Sequence, residues 1–165
     1  MDFEIDVSGS DIFEKDYTIL VAERGNSKIL LAYKFSDKNA LTIRSRHGEG
    51  KYRYPYSKAG KSNIKVRLYC VAIYFLFKEL KKRFKLKDVT LAVCRDFSGN
   101  ESKIKQNLEF LLGTKLGLNV SIAFQKLPKN SIADKYAFLI RHDTLNKFSS
   151  CCIKIKVEEF EEFLK

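Results

Sequence analysis

The alternation of apolar and polar positions divides the chain into short strands followed by helices. Three strand-like runs come first; Ser-Gly-Ser follows the first of them, and Gly25 and Asn26 separate the other two. Glycine and asparagine suit hairpin turns, so this pattern predicts three antiparallel strands in succession. The runs are residues 2–7, 17–22 and 28–35, and residues 40–44 form either a fourth short strand or an extension of the third.

The second half of the pattern alternates between helix and strand. The run from Asn63 to Phe84 is apolar around most of its circumference, which predicts a buried helix, with Ser62 as its N-cap. The continuous apolar run from Val89 to Cys94 is typical of an interior parallel strand. Further predicted elements are a helix over 101–116 closed by Gly117, a strand over 120–124, a helix over 132–142, and a terminal strand over 151–157 with a short helix.

This order of elements predicts an α/β fold with a mixed sheet. Three antiparallel strands are followed by parallel strands, which right-handed helical crossovers add to the sheet. The chain has 165 residues, of which 45% are hydrophobic, the size of one ordinary domain. We therefore expect a single domain over residues 1–165 with a C-terminal strand and helix as an extension.

Basic residues dominate the middle of the chain. The formal net charge of +11 favours an anionic partner. Residues 45–61 are rich in basic residues, glycine and tyrosine, which predicts a long basic loop. Basic side chains follow a nucleic-acid backbone and tyrosine rings stack on bases; the alternative is a solvated loop whose tyrosines pack on the core. The predicted nucleic-acid-binding residues are Arg44, Arg46, Lys51, Tyr52, Arg53, Tyr54, Lys58, Lys61 and Arg67.

The cysteines and the hydropathy of the chain provide an expectation for its cellular compartment. The four cysteines lack the spacing of a metal site, and a reducing compartment is their simpler interpretation. The N-terminus does not resemble a signal peptide, and the longest apolar run, Leu68 to Phe77, is too short to cross a bilayer. We expect a cytoplasmic protein with no membrane partner.

Three aspartates at or near the ends of these predicted elements are candidate metal ligands. Asp6 ends the first strand, Asp96 follows the strand that ends at Cys94, and Asp134 begins a helix. If the two strands are parallel neighbours, Asp6 and Asp96 emerge at the same sheet edge, and carboxylate oxygens suit Mg²⁺ there. The alternative is that each aspartate only begins a turn.

The motifs around these aspartates resemble those of ribonuclease H-like proteins. Residues 5–9 (Ile-Asp-Val-Ser-Gly) look like the first-strand motif, residues 94–101 resemble the Arg-Asp-Gly stretch of the PIWI branch, and residues 130–137 are similar to the start of the last ribonuclease H helix. The resemblance implies a ribonuclease H-like domain that hydrolyses phosphodiester bonds of RNA, an RNA/DNA hybrid or branched DNA. It further implies that Asp6, Asp96 and Asp134 bind Mg²⁺ or Mn²⁺, with Asp6 bridging two ions.

One position departs from the family pattern. The family has a glutamate in its central helix at a fixed distance from the start of that helix. In this chain the same distance, counted from Ser62 and Asn63, leads to Arg67. Glu49, flanked by two glycines in the predicted loop, is expected to replace that carboxylate as a fourth catalytic residue, and Glu101 is a second candidate. A third possibility is a degenerate site in which Arg67 contacts phosphate.

Two other function classes therefore remain open. The first is a non-catalytic nucleic-acid-binding module on a degenerate ribonuclease H-like scaffold, for which Arg67 is the marker. The second is a nucleotide-binding protein or phosphotransferase that uses Lys61 and Ser62 at a helix start. His142, at the end of the predicted last helix, is a candidate metal or proton-transfer residue, or simply a favourable partner of the helix dipole.

Overall fold

A six-stranded mixed sheet forms the centre of the protein. The computed structural model describes residues 1–26 and 28–165. The strands are β1 (Asp2–Ser8), β2 (Thr18–Glu23), β3 (Ile29–Lys34), β4 (Asp88–Cys94), β5 (Asn119–Gln125) and β6 (Cys152–Ile153), in the order β5-β4-β1-β2-β3-β6. β1, β2 and β3 pair antiparallel, whereas β4 is parallel to β1 and β5 is parallel to β4. The predicted α/β class and mixed sheet are confirmed.

Helices cover both faces of this sheet. They are α1 (Asp37–Gly48), α2 (Lys58–Phe84), α3 (Glu101–Leu108), which continues as a π-helical segment (Glu109–Lys115), α4 (Ile132–Arg141) and α5 (Val157–Glu161). α2 and α3 bury their apolar sides against one face of the sheet, and α4 packs on the other face with Ala133, Ala137 and Ile140. Within the described residues, no helix combines the length and apolar character needed to span a bilayer.

The segment after β3 is a helix and not a strand. Ser36 caps α1 by accepting a hydrogen bond from the Asn39 amide at 3.1 Å. Ala40, Ile43 and His47 are buried at spacings of three and four residues, which is the period of a helix face. The predicted strand over 40–44 is therefore wrong, because the capping serine and this spacing outweigh the short apolar run.

The predicted basic loop over 45–61 is also wrong in its bounds. Its first residues complete α1 and its last residues begin α2, which leaves residues 49–57 as the connection. Ser57, not Ser62, is the N-cap of α2, because its hydroxyl accepts a hydrogen bond from the Gly60 amide at 3.1 Å. Lys61 and Ser62 consequently lie within the helix, beyond the free N-terminal amide groups that could bind an anion.

Two other predicted elements differ in form. The helix over 101–116 turns π-helical at Glu109, where the Leu116 amide bonds the Leu111 carbonyl at 3.2 Å, and Gly117 ends it with a φ of 67°. The predicted terminal strand over 151–157 is reduced to β6, which pairs only with Ala32 and Tyr33 of β3. The buried α2, the interior strand β4 and the C-terminal helix are confirmed.

Candidate metal and nucleic-acid site at the sheet edge

The parallel pairing of β1 and β4 places Asp6 and Asp96 at the same edge of the sheet. Ile5 is paired with Val93, so Asp6 lies beside Cys94 and Asp96 follows just beyond the end of β4. Side chains alternate along a strand, and Ile5 and Val93 belong to the core beneath α2. Asp6 and Cys94 therefore face the opposite side, where α4 packs.

Asp6 is a buried carboxylate, with 7% of its surface exposed. Its Oδ1 accepts a hydrogen bond from the Val7 amide at 2.8 Å. Burial raises the pKa of Asp6, and the negative charge of Asp134 raises it further, whereas hydrogen bonds from Cys94 and Val7 oppose the rise. A buried anion of this kind is unfavourable unless a cation or a proton neutralises it.

Asp96 is held by a tyrosine from the antiparallel part of the sheet. The Tyr17 hydroxyl, at the start of β2, donates a hydrogen bond to Asp96 Oδ2 at 2.9 Å. Asp96 is exposed to solvent, but partial desolvation by its neighbours raises its pKa; the Tyr17 hydrogen bond lowers the pKa and the charge of Asp6 raises it. Burial, followed by the charge of Asp96, also raises the pKa of Tyr17, so this phenol remains a neutral donor. Nothing in the sequence pattern had pointed to Tyr17 or Cys94.

Asp134 lies in the first turn of α4 on the Asp6 side of the sheet. Ser131 caps this helix by accepting a hydrogen bond from the Asp134 amide at 3.1 Å. Because the charge of Asp6 influences Asp96, and the charge of Asp134 influences Asp6, Asp6 is the central carboxylate of the three. The structure thus brings the three predicted aspartates to one region at the carboxyl ends of β1 and β4.

These carboxylates have no basic partner among the described residues. None of the ion pairs among residues 1–26 and 28–165 includes Asp6, Asp96 or Asp134, although the chain carries 31 lysine and arginine residues. In the same part of the chain, no group of three or more His, Cys, Asp or Glu side chains is arranged so that it could hold a metal ion. Mg²⁺ keeps several of its waters and is often held by only one or two carboxylates, so binding of this ion by these aspartates requires waters to complete its shell.

Arg67 does not reach the aspartates. Its guanidinium donates to Asn107 Oδ1 at 2.6 Å and to the Phe163 carbonyl at 3.3 Å, which ties α2 to α3 and to the C-terminus. Burial lowers the pKa of Arg67. The side chain is therefore used within the fold, and its contacts give no sign of the predicted role in phosphate binding.

Glu49 and Glu101, the two candidate replacements for the helical glutamate, lie at helix ends. Glu49 is the C-cap of α1 and contacts Lys51 Nζ at 2.6 Å and the Ser45 hydroxyl at 3.1 Å. The hydrogen bonds from Lys51 and Ser45 lower its pKa, and none of its described contacts is with an aspartate of the site. Glu101 is in the first turn of α3. His142 closes α4, with its Nδ1 2.9 Å from the Phe138 carbonyl.

Tertiary contacts divide the predicted nucleic-acid-binding residues into two groups. The first group is engaged within the protein: Glu161 accepts hydrogen bonds from Arg46 at 2.6 Å and from Tyr52 at 2.7 Å. Tyr52 is buried, which leaves its ring no face for a base, and Tyr54 packs against the core. Arg53 donates to the Tyr54 hydroxyl and to the Phe163 carbonyl.

The second group is open to solvent. Arg44, Lys58 and Lys61 are exposed and form no ion pair among the described residues. The Lys61 ammonium lies 4.1 Å from the ring centre of Tyr56, which is 59% exposed. Tyr56 is therefore the most exposed tyrosine of this segment, with His47 and Lys61 beside its ring, and no local pattern distinguishes it from Tyr52 or Tyr54.

A groove of about 270 Å³ connects this open surface with the loop that follows β1. Arg44, Tyr56 and Lys61 line one side of the groove, and Asp11 and Glu14 of the loop line the other. Asp11 pairs with Lys65, and Glu14 lies 3.8 Å from Arg141 of α4. The basic surface thus borders the loop that leads away from Asp6.

Comparison with known proteins provides no family for this chain. No model of a known protein family matches the sequence, and no curated protein matches it at a significant level. Any function must therefore be inferred from the chain's own residues, chiefly the three aspartates at the sheet edge and the basic groove beside them.

Proposed function

We propose that this protein is a divalent-metal-dependent nuclease with a ribonuclease H-like domain. The observation that carries the proposal is a pair of carboxylates, the buried Asp6 and the exposed Asp96 just beyond β4, neither of which forms an ion pair among the described residues of a chain of net charge +11. A protein with so many lysines and arginines has ample means to neutralise a structural carboxylate. The element order, with three antiparallel strands before the helical crossovers, also supports the proposal.

In this proposal Asp6, Asp96 and Asp134 hold Mg²⁺ or Mn²⁺. When bound, such ions supply an activated water and neutralise the charge on the leaving oxygen of a phosphodiester. Asp6 occupies the centre of the site, because the charge of Asp134 acts on Asp6 and the charge of Asp6 acts on Asp96. Tyr17 fixes the orientation of Asp96 through the hydrogen bond at 2.9 Å, which preorganises this carboxylate for a cation.

The nucleic acid would approach along the basic groove. Arg44, Lys58 and Lys61 carry the charge that attracts a phosphate backbone, and the exposed Tyr56 ring offers a stacking surface for an unpaired base. Because the groove borders the loop after β1, a strand bound there would lead towards Asp6. The candidate substrates are RNA, an RNA/DNA hybrid and branched DNA.

Cleavage assays on these three substrates test the proposal. We expect cleavage that requires Mg²⁺ or Mn²⁺ and falls by at least about a hundredfold in Asp6→Asn and in Asp96→Asn, because each change removes charge from the metal site. Asp2→Asn is the matched control, since Asp2 is exposed at the opposite end of the same strand. Equal activity of Asp6→Asn and Asp2→Asn would reject the proposed site.

Arg67 supports a second candidate function. The position where the family has its helical glutamate holds an arginine that joins α2 to α3 and the C-terminus. A scaffold in which this position has a structural role is suited to binding nucleic acid without cleaving it. Tight, salt-dependent binding of the same substrates, with no cleavage in either metal, would select this alternative.

Both functions predict the same salt dependence of binding. Replacing Arg44, Lys58 and Lys61 with alanine is expected to weaken nucleic-acid binding and to reduce the slope of log K against log salt by about 0.7 to 0.9 per lost phosphate contact. Fluorescence anisotropy titrations at several salt concentrations measure this slope.

The matched control removes charge from the other end of α2. Lys82→Ala and Lys87→Ala take away exposed lysines at and just beyond the C-terminus of this helix, which lies roughly 40 Å from its first turn. These changes should leave the slope unaltered. A slope that falls as much in the control as in the groove variant would place the binding face elsewhere.

A further inference from the structure

A cavity of about 520 Å³ opens where β3 and β6 end, next to the C-terminus of α4. The two strands are parallel, and their last residues, Lys34 and Ile153, both line the cavity. Ligands of α/β proteins bind outside the carboxyl ends of parallel strands, in pockets of roughly 300 to 1,000 Å³. Because β1 and β3 both pair antiparallel with β2, the cavity lies at the same edge of the sheet as Asp6, with β2 between them.

Apolar side chains form much of the wall of this cavity. Ile140 of α4, Ile153 of β6 and Ile155 of the segment before α5 line it, together with Tyr33 of β3. Ile155 and Tyr33 are buried in the core, whereas Ile153 keeps part of its surface open to solvent. A ligand with an apolar body removes such surface from water, which favours its binding.

Three lysines surround the same cavity without an acidic partner. Lys34, Lys154 and Lys156 line it, and none of them forms an ion pair among residues 1–26 and 28–165. The Lys34 ammonium donates a hydrogen bond to the Ile140 carbonyl at 3.2 Å, which fixes this charge at the end of α4. Lys154 and Lys156 are exposed, on the segment between β6 and α5.

Asp143 is the acidic side chain that the described residues contribute to the cavity, and it is used by the turn after α4. Its Oδ1 accepts a hydrogen bond from the Lys147 amide at 3.0 Å, and its Oδ2 accepts one from the Phe148 amide at 2.9 Å. The hydrogen bond from Phe148, followed by that from Lys147, lowers the pKa of Asp143, so this carboxyl is an anion. Three ammonium groups against one carboxylate leave the cavity with a net positive charge, which favours an anionic ligand.

We propose that this cavity binds a small molecule with an apolar body and one anionic group, such as an aryl or alkyl carboxylate. The isoleucines contact the body of the ligand, and the lysines contact its anion. Charge complementarity selects this class, because an uncharged apolar molecule leaves the three ammonium groups without a counter-charge. The inference is independent of the proposed nuclease activity, since the cavity includes neither the aspartates of the sheet edge nor the residues of the basic groove.

Titration of the whole chain with anilinonaphthalene sulfonate, followed by the fluorescence of this probe, tests the inference. The probe joins an apolar aromatic body to one sulfonate, and phenylnaphthylamine is its counterpart without the charge. We expect saturable binding with a single probe molecule per chain. Lys154→Gln and Lys156→Gln should each weaken it about fivefold, which is the effect of one close pair of opposite charges in water. The affinity for the uncharged counterpart should not change in these variants.

Lys129→Gln and Lys135→Gln are the matched controls. Both lysines are exposed and lie beside the exposed side chains of Phe138 and Leu139, a second place where lysines adjoin apolar surface. These two changes should leave the affinity for the probe unaltered. If they weaken binding as much as Lys154→Gln does, the probe is held on the surface of α4 and the inference is wrong.

Three further results would also overturn the inference. They are the absence of saturable binding by the wild type, equal weakening of the sulfonate and of its uncharged counterpart, and a dimer in sedimentation velocity that dissociates as the probe binds. The last result would show that a second copy of the chain fills the cavity. Cleavage and binding of nucleic acid should be the same in Lys154→Gln as in the wild type, so failure of this inference leaves the proposed function standing, and the reverse also holds.

Discussion

Replacement of Gly60 with alanine is expected to lower the free energy of unfolding by about 3 kcal/mol, at the upper end of overpacking effects. A Cβ atom at this position would lie 2.8 Å from the Pro55 carbonyl carbon and still closer to its oxygen. Both atoms belong to the backbone, so no side-chain rotation relieves the contact. The 49–57 connection or the first turn of α2 must move, and urea denaturation monitored by circular dichroism measures the cost.

Gly48→Ala is the matched control for this prediction. Gly48 also lies in a helix beside the same connection, but its added Cβ would be 3.7 Å from the Tyr56 ring, an ordinary contact. Alanine should therefore leave stability unchanged or raise it slightly, since it restricts the unfolded chain. Similar unfolding free energies for Gly48→Ala and Gly60→Ala would show that the approach of Pro55 to α2 is not tight.

Asp6→Asn is expected to stabilise the metal-free protein at neutral pH by about 0.5–2 kcal/mol, and Asp96→Asn by less because solvent screens this exposed side chain, while both changes abolish metal binding. Desolvation raises the pKa of both carboxyls above the ordinary value of 3.8, so the folded state binds their protons more tightly than the unfolded state does. Each ionised carboxylate therefore destabilises the fold. Asparagine removes the charge and keeps an oxygen that accepts the existing hydrogen bonds.

The sign of this effect gives it a definite pH dependence. The advantage of each asparagine variant over the wild type should be absent below pH 3.8, where the aspartates are protonated in both states. It should grow as the pH rises through the raised pKa values of the folded state. The measurement must be the difference in unfolding free energy between each variant and the wild type. Residues such as Glu161 have lowered pKa values, so their own contributions to stability change with pH in the opposite direction. Destabilisation at neutral pH would mean that the aspartates support the fold.

Segments that are apolar along most of their length were well predicted from the sequence, and segments at the ends of elements were not. The apolar run of β4 and the mostly apolar circumference of α2 leave few structural choices, and both elements form as expected. The segment 40–44 is short and half apolar, and only Ser36 together with the buried faces of Ala40 and Ile43 decides in favour of α1. The cap and the helical spacing are local, but the burial of that face, which gives the spacing its weight, depends on packing across the domain.

The basic segment shows how tertiary contacts select among equivalent residues. Tyr52 and Tyr56 are alike in sequence context, but Tyr52 bonds Glu161, more than a hundred residues away, while Tyr56 remains exposed. Arg46 and Arg44 divide in the same way, because only Arg46 reaches Glu161. Composition therefore predicted a basic surface, and long-range partners determined which side chains remain free to form it.

The sequence by itself determined the strands β1 to β5, the helices α2 to α4 and the three aspartates near their ends, but not α1, because strong hydrophobic periodicity and terminal residues are local properties. Only the tertiary structure decided what surrounds those aspartates. Tyr17 reaches Asp96 because β2 pairs with β1 and β1 pairs with β4. The burial and charge that set the properties of the site depend on such distant packing, which is established only when the chain folds.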